Sequence, residues 1–326
     1  MNVILSAFYA LYSSFFLISS PTISTPEQTV SKTKARVEIV NGFPCLGYLY
    51  GDFYSLEGKF CAVTLSNGSI LKIGKQIGGG GGGYVFEGDL EGKNVAVKLG
   101  HHSIGRIPGD AEELLALEKE GFQAIPQVKV YFDFQVPDRS YVSRIIVYEM
   151  LMPITYSENL FFKMIKNMNE LHKHTTHNDI KPANLMQRSN GEPLFIDFDN
   201  KHGWAQTPFY QDHILAKRSG SKDYDRVMND VIALGRSLLE VKHKELIEKE
   251  VHALLLEAPN KTSDFKTNLK KLNELFHQLK IEGDFWDYVR RIINNVDFED
   301  EIMIQMSRGQ FQDSDSVLRA YEKVEL

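Results

Sequence analysis

The sequence predicts a mixed α+β protein in which strands dominate the first half and helices dominate the second. From Val37 to Ile73, aromatic and β-branched residues lie between turn signals such as Asn41-Gly42. A single helix-like stretch, Gly109–Glu120, interrupts the strand-like segments that continue to Tyr148. Beyond Gly235, apolar residues recur at helical spacing. These observations indicate a small strand-rich region with one helix, followed by a mainly helical region.

The first segment, residues 1–33, is apolar at its start and rich in Ser, Thr and Pro at its end. Val3 to Ile18 is mostly apolar but shorter than the roughly 20 residues that span a bilayer. A secretory signal begins with basic residues, whereas the first basic residue here is Lys32. Three interpretations therefore stay open: a helix packed on the domain, a membrane anchor and an export signal. Residues 34–74 are predicted to form a β-rich extension.

The later elements follow from periodicity. Val128–Phe132 and Ile145–Tyr148 are predicted strands. A helical apolar stripe follows, which we interpret as core. It comprises Leu160, Phe161, Met164, Ile165, Met168 and Leu171. Three further stripes are predicted to complete the helical region: Leu246 to Leu255, Phe265 to Leu279, and Trp286 with Val289, Ile292 and Ile293.

Composition excludes some classes of protein. The chain has 326 residues, of which 43% are hydrophobic and 25% are charged, as in ordinary globular domains. A net charge of −6 and the lack of a basic stripe argue against a nucleic-acid partner. Cys45 and Cys61 cannot build a disulfide framework and have no CxxC-type neighbours, so we expect both to be reduced.

The most informative stretch is His177-Asn178-Asp179-Ile180-Lys181-Pro182-Ala183-Asn184, which is followed by Asp197-Phe198-Asp199. A strand-like segment, Pro193–Ile196, separates the two. Phosphoryl transfer uses one carboxylate to orient the attacking hydroxyl, and a second carboxylate with an amide to hold Mg²⁺. Both groups are present here, together with a lysine that can steady the migrating phosphate.

Three further motifs lie at regular distances around this stretch. Ile77 to Val85 contains six consecutive glycines, and a glycine run alone is more often a flexible linker. Val95-Ala96-Val97-Lys98 follows it as a strand that ends in a lysine, and Asp230–Gly235 begins a long apolar helix. From the residues alone, Asp230 is interpreted as the N-cap of this helix.

Taken together, these motifs resemble those of the eukaryotic-type protein kinase family, over about half of the chain. The resemblance implies a bilobal fold for residues 75–326. The small β-rich lobe would comprise residues 75–148, the hinge 149–152 and the mainly helical lobe 153–326. It also implies ATP and Mg²⁺ as cofactors. The resemblance further implies that Asp230 accepts hydrogen bonds from the backbone of the loop, a role compatible with an N-cap.

The resemblance assigns roles to individual residues. Asp179 would be the catalytic base, and Lys181 would contact the transferring phosphate. Asn184 and Asp197 would hold Mg²⁺, which prefers hard oxygen ligands. The ATP-binding residues would be Gly78, Gly80, Gly83, Val85, Lys98, Glu112, Glu149 and Leu151. Glu112 is expected to pair with Lys98, with Glu113 as the alternative, and the backbone of Glu149 and Leu151 would meet the adenine.

Some features depart from the family pattern. Asn178 replaces the arginine that usually precedes the catalytic aspartate, and Asp199 replaces the glycine of the metal-binding triplet. No Ala-Pro-Glu triplet lies between Asp199 and Asp230, where Lys217–Lys222 is found instead. These departures weaken the analogy for docking of a peptide substrate more than that for phosphoryl transfer.

The sequence therefore predicts a serine/threonine protein kinase whose partner is a protein hydroxyl. A small-molecule kinase and a nucleotide-binding pseudokinase scaffold are the alternatives, since fold alone does not fix the reaction. The departures and the short helical lobe resemble kinases that bacterial pathogens inject into host cells. We expect a cytoplasmic location, or secretion into a host cell for such an effector, and membrane contact through residues 1–20 is a further hypothesis.

Overall fold

The computed structural model describes the following parts of the chain. They are residues 39–41, 61–80, 83–100, 110–135, 142–157, 159–198, 210, 223–247, 249–250, 285–293 and 295–325. The apolar segment and linker of residues 1–33, much of the predicted 34–74 extension, and the stripe from Phe265 to Leu279 lie outside these ranges.

The described residues confirm the mixed α+β class and divide into two compact units. The sheet unit contains the described residues up to Lys119 together with Pro126–Leu151. The helical unit contains Glu120–Ile125 and the described residues from Met152 onward. The last change of unit, between Leu151 and Met152, falls within the segment predicted as a hinge.

The sheet unit is built on one antiparallel sheet. Its strands are β1 (Ile39–Asn41), β2 (Cys61–Leu65), β3 (Ile70–Gly80), β4 (Gly83–Leu90), β5 (Lys93–Gly100), β6 (Val128–Gln135) and β7 (Val142–Glu149). Their order across the sheet is β1-β2-β3-β4-β5-β7-β6. One helix of this unit, α1, spans Asp110–Lys119, which confirms the helix predicted between β5 and β6.

Alternation along β5 separates a core face from a polar face. Val95, Val97 and Leu99 are each 1% exposed and belong to the hydrophobic core of the sheet. Because successive side chains of a strand point to opposite faces, Lys98 leaves the sheet on the other face. The core face is completed by Val63, Leu65, Leu71, Ile73, Phe86, Val130, Phe132, Ile145 and Val147.

The glycine run forms a hairpin. Gly78 pairs with Val85, and Gly80 pairs with Gly83, across the antiparallel strands β3 and β4. Gly79 lies opposite Tyr84, and a Cβ atom added there would be 3.0 Å from Cδ1 of that ring. Most of the described glycines are thus strand residues, and one of them makes room for an aromatic side chain.

The helical unit combines a small sheet with several helices. Its strands are β8 (Met152–Pro153), β9 (Leu185–Gln187) and β10 (Pro193–Phe195), in the order β10-β9-β8. Its helices are α2 (Leu160–Leu171), α3 (Asp223–Lys242), α4 (Phe285–Ile292), α5 (Phe298–Ser307) and α6 (Ser314–Glu325). All six members of the stripe predicted on α2 are buried, which confirms its role as core.

Helix α3 begins earlier than the sequence suggested. It starts at Asp223, so Asp230 lies inside the helix and the N-cap interpretation of that residue is wrong. Gly235 lets α3 approach α5 closely, since a Cβ atom at this position would be 2.6 Å from Cβ of Met306. A side chain there would force the two helices apart.

No helix in the described ranges is both long enough and apolar enough to cross a membrane.

A buried carboxylate joins α3 to α5. Asp300 is 1% exposed, and its Oδ1 accepts hydrogen bonds from Nε2 of His243 at 2.8 Å and from Nζ of Lys242 at 3.1 Å. Asp297 and Asp300 also form a reciprocal capping box at the start of α5. Burial alone would raise the pKa of Asp300, but the hydrogen bonds from His243, Lys242 and the backbone of Asp297 lower it below its ordinary value of 3.8.

We expect Asp300→Asn to lower the free energy of unfolding at pH 7 by about 3 kcal/mol, because it leaves the partners of a buried charge uncompensated. A carboxyl group with a depressed folded-state pKa contributes stability above its unfolded pKa and loses it as the pH falls through the folded one. The difference between wild type and variant should therefore shrink below about pH 3.8. Urea denaturation across pH would measure it, and an equal difference at pH 7 and pH 3 would contradict this account.

Candidate functional site

The predicted catalytic loop lies in the helical unit, between α2 and β9. Pro182–Asn184 forms a short 3-10 helix, which leads directly into β9. Strand β9 pairs with β10 as an antiparallel hairpin in which Leu185 lies opposite Phe195. The N–H of Ile196 then donates to the carbonyl of Asn184 at 3.0 Å. This hairpin brings the segment that carries Asp197 back to the end of the loop that carries Asp179 and Asn184.

Asp230 holds the start of this loop. Its side chain is fully buried in α3, and its two oxygens accept hydrogen bonds from the backbone N–H groups of His177 at 2.7 Å and Asn178 at 2.8 Å. This confirms the prediction that Asp230 binds the loop backbone. A buried carboxylate with two amide donors fixes the position of the loop relative to the longest helix described.

His177 connects the loop to the segment before Asp197. The ring is buried, and its Nδ1 accepts from the N–H of Asp179 at 3.3 Å. Nε2 therefore carries the ring proton and donates to the carbonyl of Ile196 at 2.9 Å. The peptide groups of Ile196 are thus bonded on one side to Asn184 and on the other to His177.

Asp179, Lys181 and Asn184 form one hydrogen-bonded cluster. Nζ of Lys181 lies 2.6 Å from Oδ2 of Asp179. The amide nitrogen of Asn184 donates to the carbonyl of Asp179 at 2.8 Å and to its Oδ2 at 3.3 Å. Because the side-chain nitrogen of Asn184 donates to Asp179, the side-chain oxygen of Asn184 is the atom that can bind a cation. Asp179 is 5% exposed, so its carboxylate is held in one orientation.

Two residues of the site have left-handed backbone conformations. Asn178 has φ of 64° and Asp197 has φ of 69°. Asn and Asp tolerate this region better than other residues with a side chain. The side-chain amide of Asn178 donates to Oγ1 of Thr176 at 3.0 Å, so this side chain is bonded within its own loop. Asp199 and Lys217–Lys222 lie outside the described residues.

The predicted phosphate-binding residues lie in the sheet unit, along one row of neighbouring strands. Gly78 pairs with Val85, Val85 with Lys98, and Lys98 with Ile146. Cross-strand partners project from the same face, so Val85 and Lys98 lie side by side on the face opposite the core. Lys98 is 8% exposed.

Glu112, the expected partner of Lys98, is bonded to another cation. Its side chain is 51% exposed, and its Oε2 accepts a hydrogen bond from Nη1 of Arg144. Glu113 is half-buried and lies one turn before the buried Leu117. The sequence did not reveal that Glu112 is bonded to Arg144, and Glu113 becomes the candidate partner of Lys98.

Arg144 was missed by sequence analysis. It lies on β7 opposite Asp133, and its Nε and Nη2 donate to that carboxylate at 2.6 and 3.2 Å. Burial by itself lowers the pKa of Arg144, but hydrogen bonds and attraction from Asp133 and Glu112 raise it above its usual value. The available signal was one arginine directly before the apolar run Ile145–Tyr148, and apolar periodicity assigns no role to such a residue.

The predicted hinge residues begin at the end of β7. The N–H of Glu149 donates to the carbonyl of Gln127 at 3.0 Å, and its Oε1 accepts from the N–H of Gln127 at 2.9 Å. Because the N–H of Glu149 is already bonded to Gln127, we expect only the carbonyl of Glu149 to contact the adenine. Leu151 is half-buried, and its adenine contact stays a prediction.

The expected Mg²⁺ ligands fit the chemistry of that ion. Among the described residues, no group of three or more His, Cys, Asp or Glu side chains could hold a metal. Mg²⁺ sites in phosphoryl-transfer enzymes use one or two protein oxygens and complete the shell with phosphates and water. The carboxylate of Asp197 and the amide oxygen of Asn184 are such a set.

No protein-family model matches the chain, and no curated protein matches it significantly.

We expect Asp230→Asn to loosen the loop. The substituted amide presents one nitrogen donor to a backbone N–H donor, so one buried bond is lost, at a cost of about 2 kcal/mol in the free energy of unfolding. Amide hydrogen exchange at His177 and Asn178 should accelerate. Asp315→Asn, at an exposed pair with Arg319, is the matched control. Unchanged exchange at both loop amides would contradict the role of Asp230.

Proposed function

We propose that the protein is an ATP- and Mg²⁺-dependent phosphotransferase that acts on serine or threonine hydroxyls of proteins. One observation carries the proposal. Hydrogen bonds join Asp179, Lys181 and Asn184 in one cluster. Asp197 follows Ile196, whose N–H and carbonyl are both hydrogen-bonded to the loop. These are the residue types that phosphoryl transfer requires.

Asp179 would accept the hydrogen bond of the attacking hydroxyl and take its proton as the new O–P bond forms. Its orientation is supported by Asn184 and Lys181. The Lys181 ammonium group, 2.6 Å from the carboxylate, is close enough to contact the phosphoryl group that this hydroxyl attacks. The bond from phosphorus to the leaving oxygen of ADP breaks in the same transfer.

Asn184 and Asp197 would hold Mg²⁺, which neutralises developing charge on the phosphates when it is bound. In the sheet unit, Lys98 would bind the α- and β-phosphates as a compact charge. The hairpin of β3 and β4 would offer backbone N–H groups to the same phosphates. Glu113 would keep Lys98 aimed at them.

The transfer itself is tested with γ-labelled ATP and Mg²⁺, using the full chain and a panel of general protein substrates. We expect label on protein from the wild type, and a loss of at least about 100-fold in Asp179→Asn and in Lys98→Met. Asp315→Asn should retain wild-type activity. Label on sugars or aminoglycosides but on no protein would favour the small-molecule kinase.

Nucleotide binding is tested separately by thermal unfolding with ATP, with and without Mg²⁺. At 100 times its Kd, bound ligand adds about 2.7 kcal/mol to stability. We expect this gain to need both ATP and Mg²⁺ in the wild type and to fall in Asp197→Asn. A full gain without any transfer of label would favour the pseudokinase alternative, and no gain would contradict the proposed function.

A further inference from the structure

Arg144, Asp133 and Glu112 form an ionic cluster on the sheet unit that the reaction itself does not use, with Arg144 and Asp133 largely buried and Glu112 half-exposed. We call it the Arg144 clamp. The guanidinium group is nine-tenths buried and donates two hydrogen bonds to Asp133, its direct cross-strand partner on β6. Its centre also lies 5.4 Å from the centroid of the Tyr131 ring. Three features of the sheet thus hold the guanidinium in place: a strand pairing, a bidentate ion pair and an aromatic face.

The third nitrogen of this guanidinium group is bonded to α1. Nη1 of Arg144 donates to Oε2 of Glu112, in the first turn of the helix. The buried apolar residues of α1 are Ala111, Leu114 and Leu117. This is a narrow apolar contact for a ten-residue helix, so the bond to Arg144 is a substantial constraint on where the helix begins.

The clamp lies on the face of the sheet that carries Lys98. Lys98 pairs with Ile146, and Arg144 is two residues before Ile146 on the same strand. Residues two apart on a strand share a face. Glu113, which follows Glu112 directly, is half-buried on the side of α1 that carries Leu117. The position of Glu113 above this face therefore depends on where the clamp fixes the first turn.

We propose that Arg144 is a positioning residue that acts through Glu112 to set α1, so that Glu113 is presented to Lys98. This rests on the role of Lys98 in the proposed function. Glu112, which was expected to pair with Lys98, would instead hold the first turn of α1 in place. Arg144 would contact neither ATP nor substrate.

The test uses Glu112→Gln, because replacing Arg144 would leave Asp133 buried without its partner and could unfold the unit. Glu112→Gln leaves the bidentate pair of Arg144 and Asp133 intact. The matched control is Glu87→Gln, which removes an exposed ion pair with Lys75 on the same sheet. We expect kcat/KM for ATP to fall on the order of 10-fold in Glu112→Gln and to stay unchanged in Glu87→Gln.

A double-mutant cycle separates positioning from a general loss of structure. If Glu112 acts by presenting Glu113, the double variant Glu112→Gln/Glu113→Gln should be no less active than Glu113→Gln alone. Losses that multiply in the double variant would overturn the proposal. So would wild-type kinetics in Glu112→Gln.

Amide hydrogen exchange gives a result that does not depend on activity. Glu112→Gln should accelerate exchange in α1 from Leu114 to Leu117, with exchange in β5 unchanged. Unchanged exchange in α1 would overturn the clamp. If the wild type transfers no phosphate, the proposed function fails, and the exchange of α1 still decides whether Arg144 fixes the helix.

Discussion

The candidate site depends on a single buried carboxylate. Asp230 lies inside α3, among residues that anchor this helix in the core, and it offers one oxygen to each of two consecutive amides of the loop. Removing a charge from water costs free energy unless hydrogen bonds compensate for it, so the buried carboxylate needs both loop amides. These two bonds fix the first residues of the loop, and the other contacts of the site are made by the residues that follow.

From that point a series of short contacts leads to Asp197. His177 is bonded to Asp230 through its backbone and to Ile196 through its ring. Asn184 is bonded to Asp179 through its side chain and to Ile196 through its carbonyl. Two parallel routes therefore hold the segment before Asp197. The backbone of Asp197 is in the left-handed region, which Asp tolerates better than most residues with a side chain.

The sequence predicted those parts of the structure that a regular pattern or a complete motif specifies. The α2 stripe, α1 and the strands β6 and β7 follow from periodicity, and the binding of the loop backbone by Asp230 follows from the motif. The predicted start of α3 was wrong because it was taken from the motif at Asp230. Tyr224, Val227 and Met228 continue the helical spacing of the later apolar residues towards the start of the helix at Asp223.

The choice between Glu112 and Glu113 could not be made from the sequence for another reason. Neighbouring helix residues differ by about 100° in direction, so each of the two carboxylates meets different residues, and Glu112 meets Arg144. The contacts of Arg144 could not be predicted from the sequence. Its partners, Glu112 and Asp133, are distant in sequence and become neighbours only through strand pairing and helix packing.

The central proposal is that Asn184 and Asp197, in the helical unit, bind one Mg²⁺ ion together with ATP. Mn²⁺ can replace Mg²⁺ in such complexes, and its unpaired electrons broaden the NMR signals of nearby amides. Titration of the full chain with Mn²⁺ and a non-hydrolysable ATP analogue should broaden the amide signals of Asn184 and Asp197 together, and only when both ligands are present. Broadening of only one of the two signals, or broadening with Mn²⁺ alone, would contradict the account.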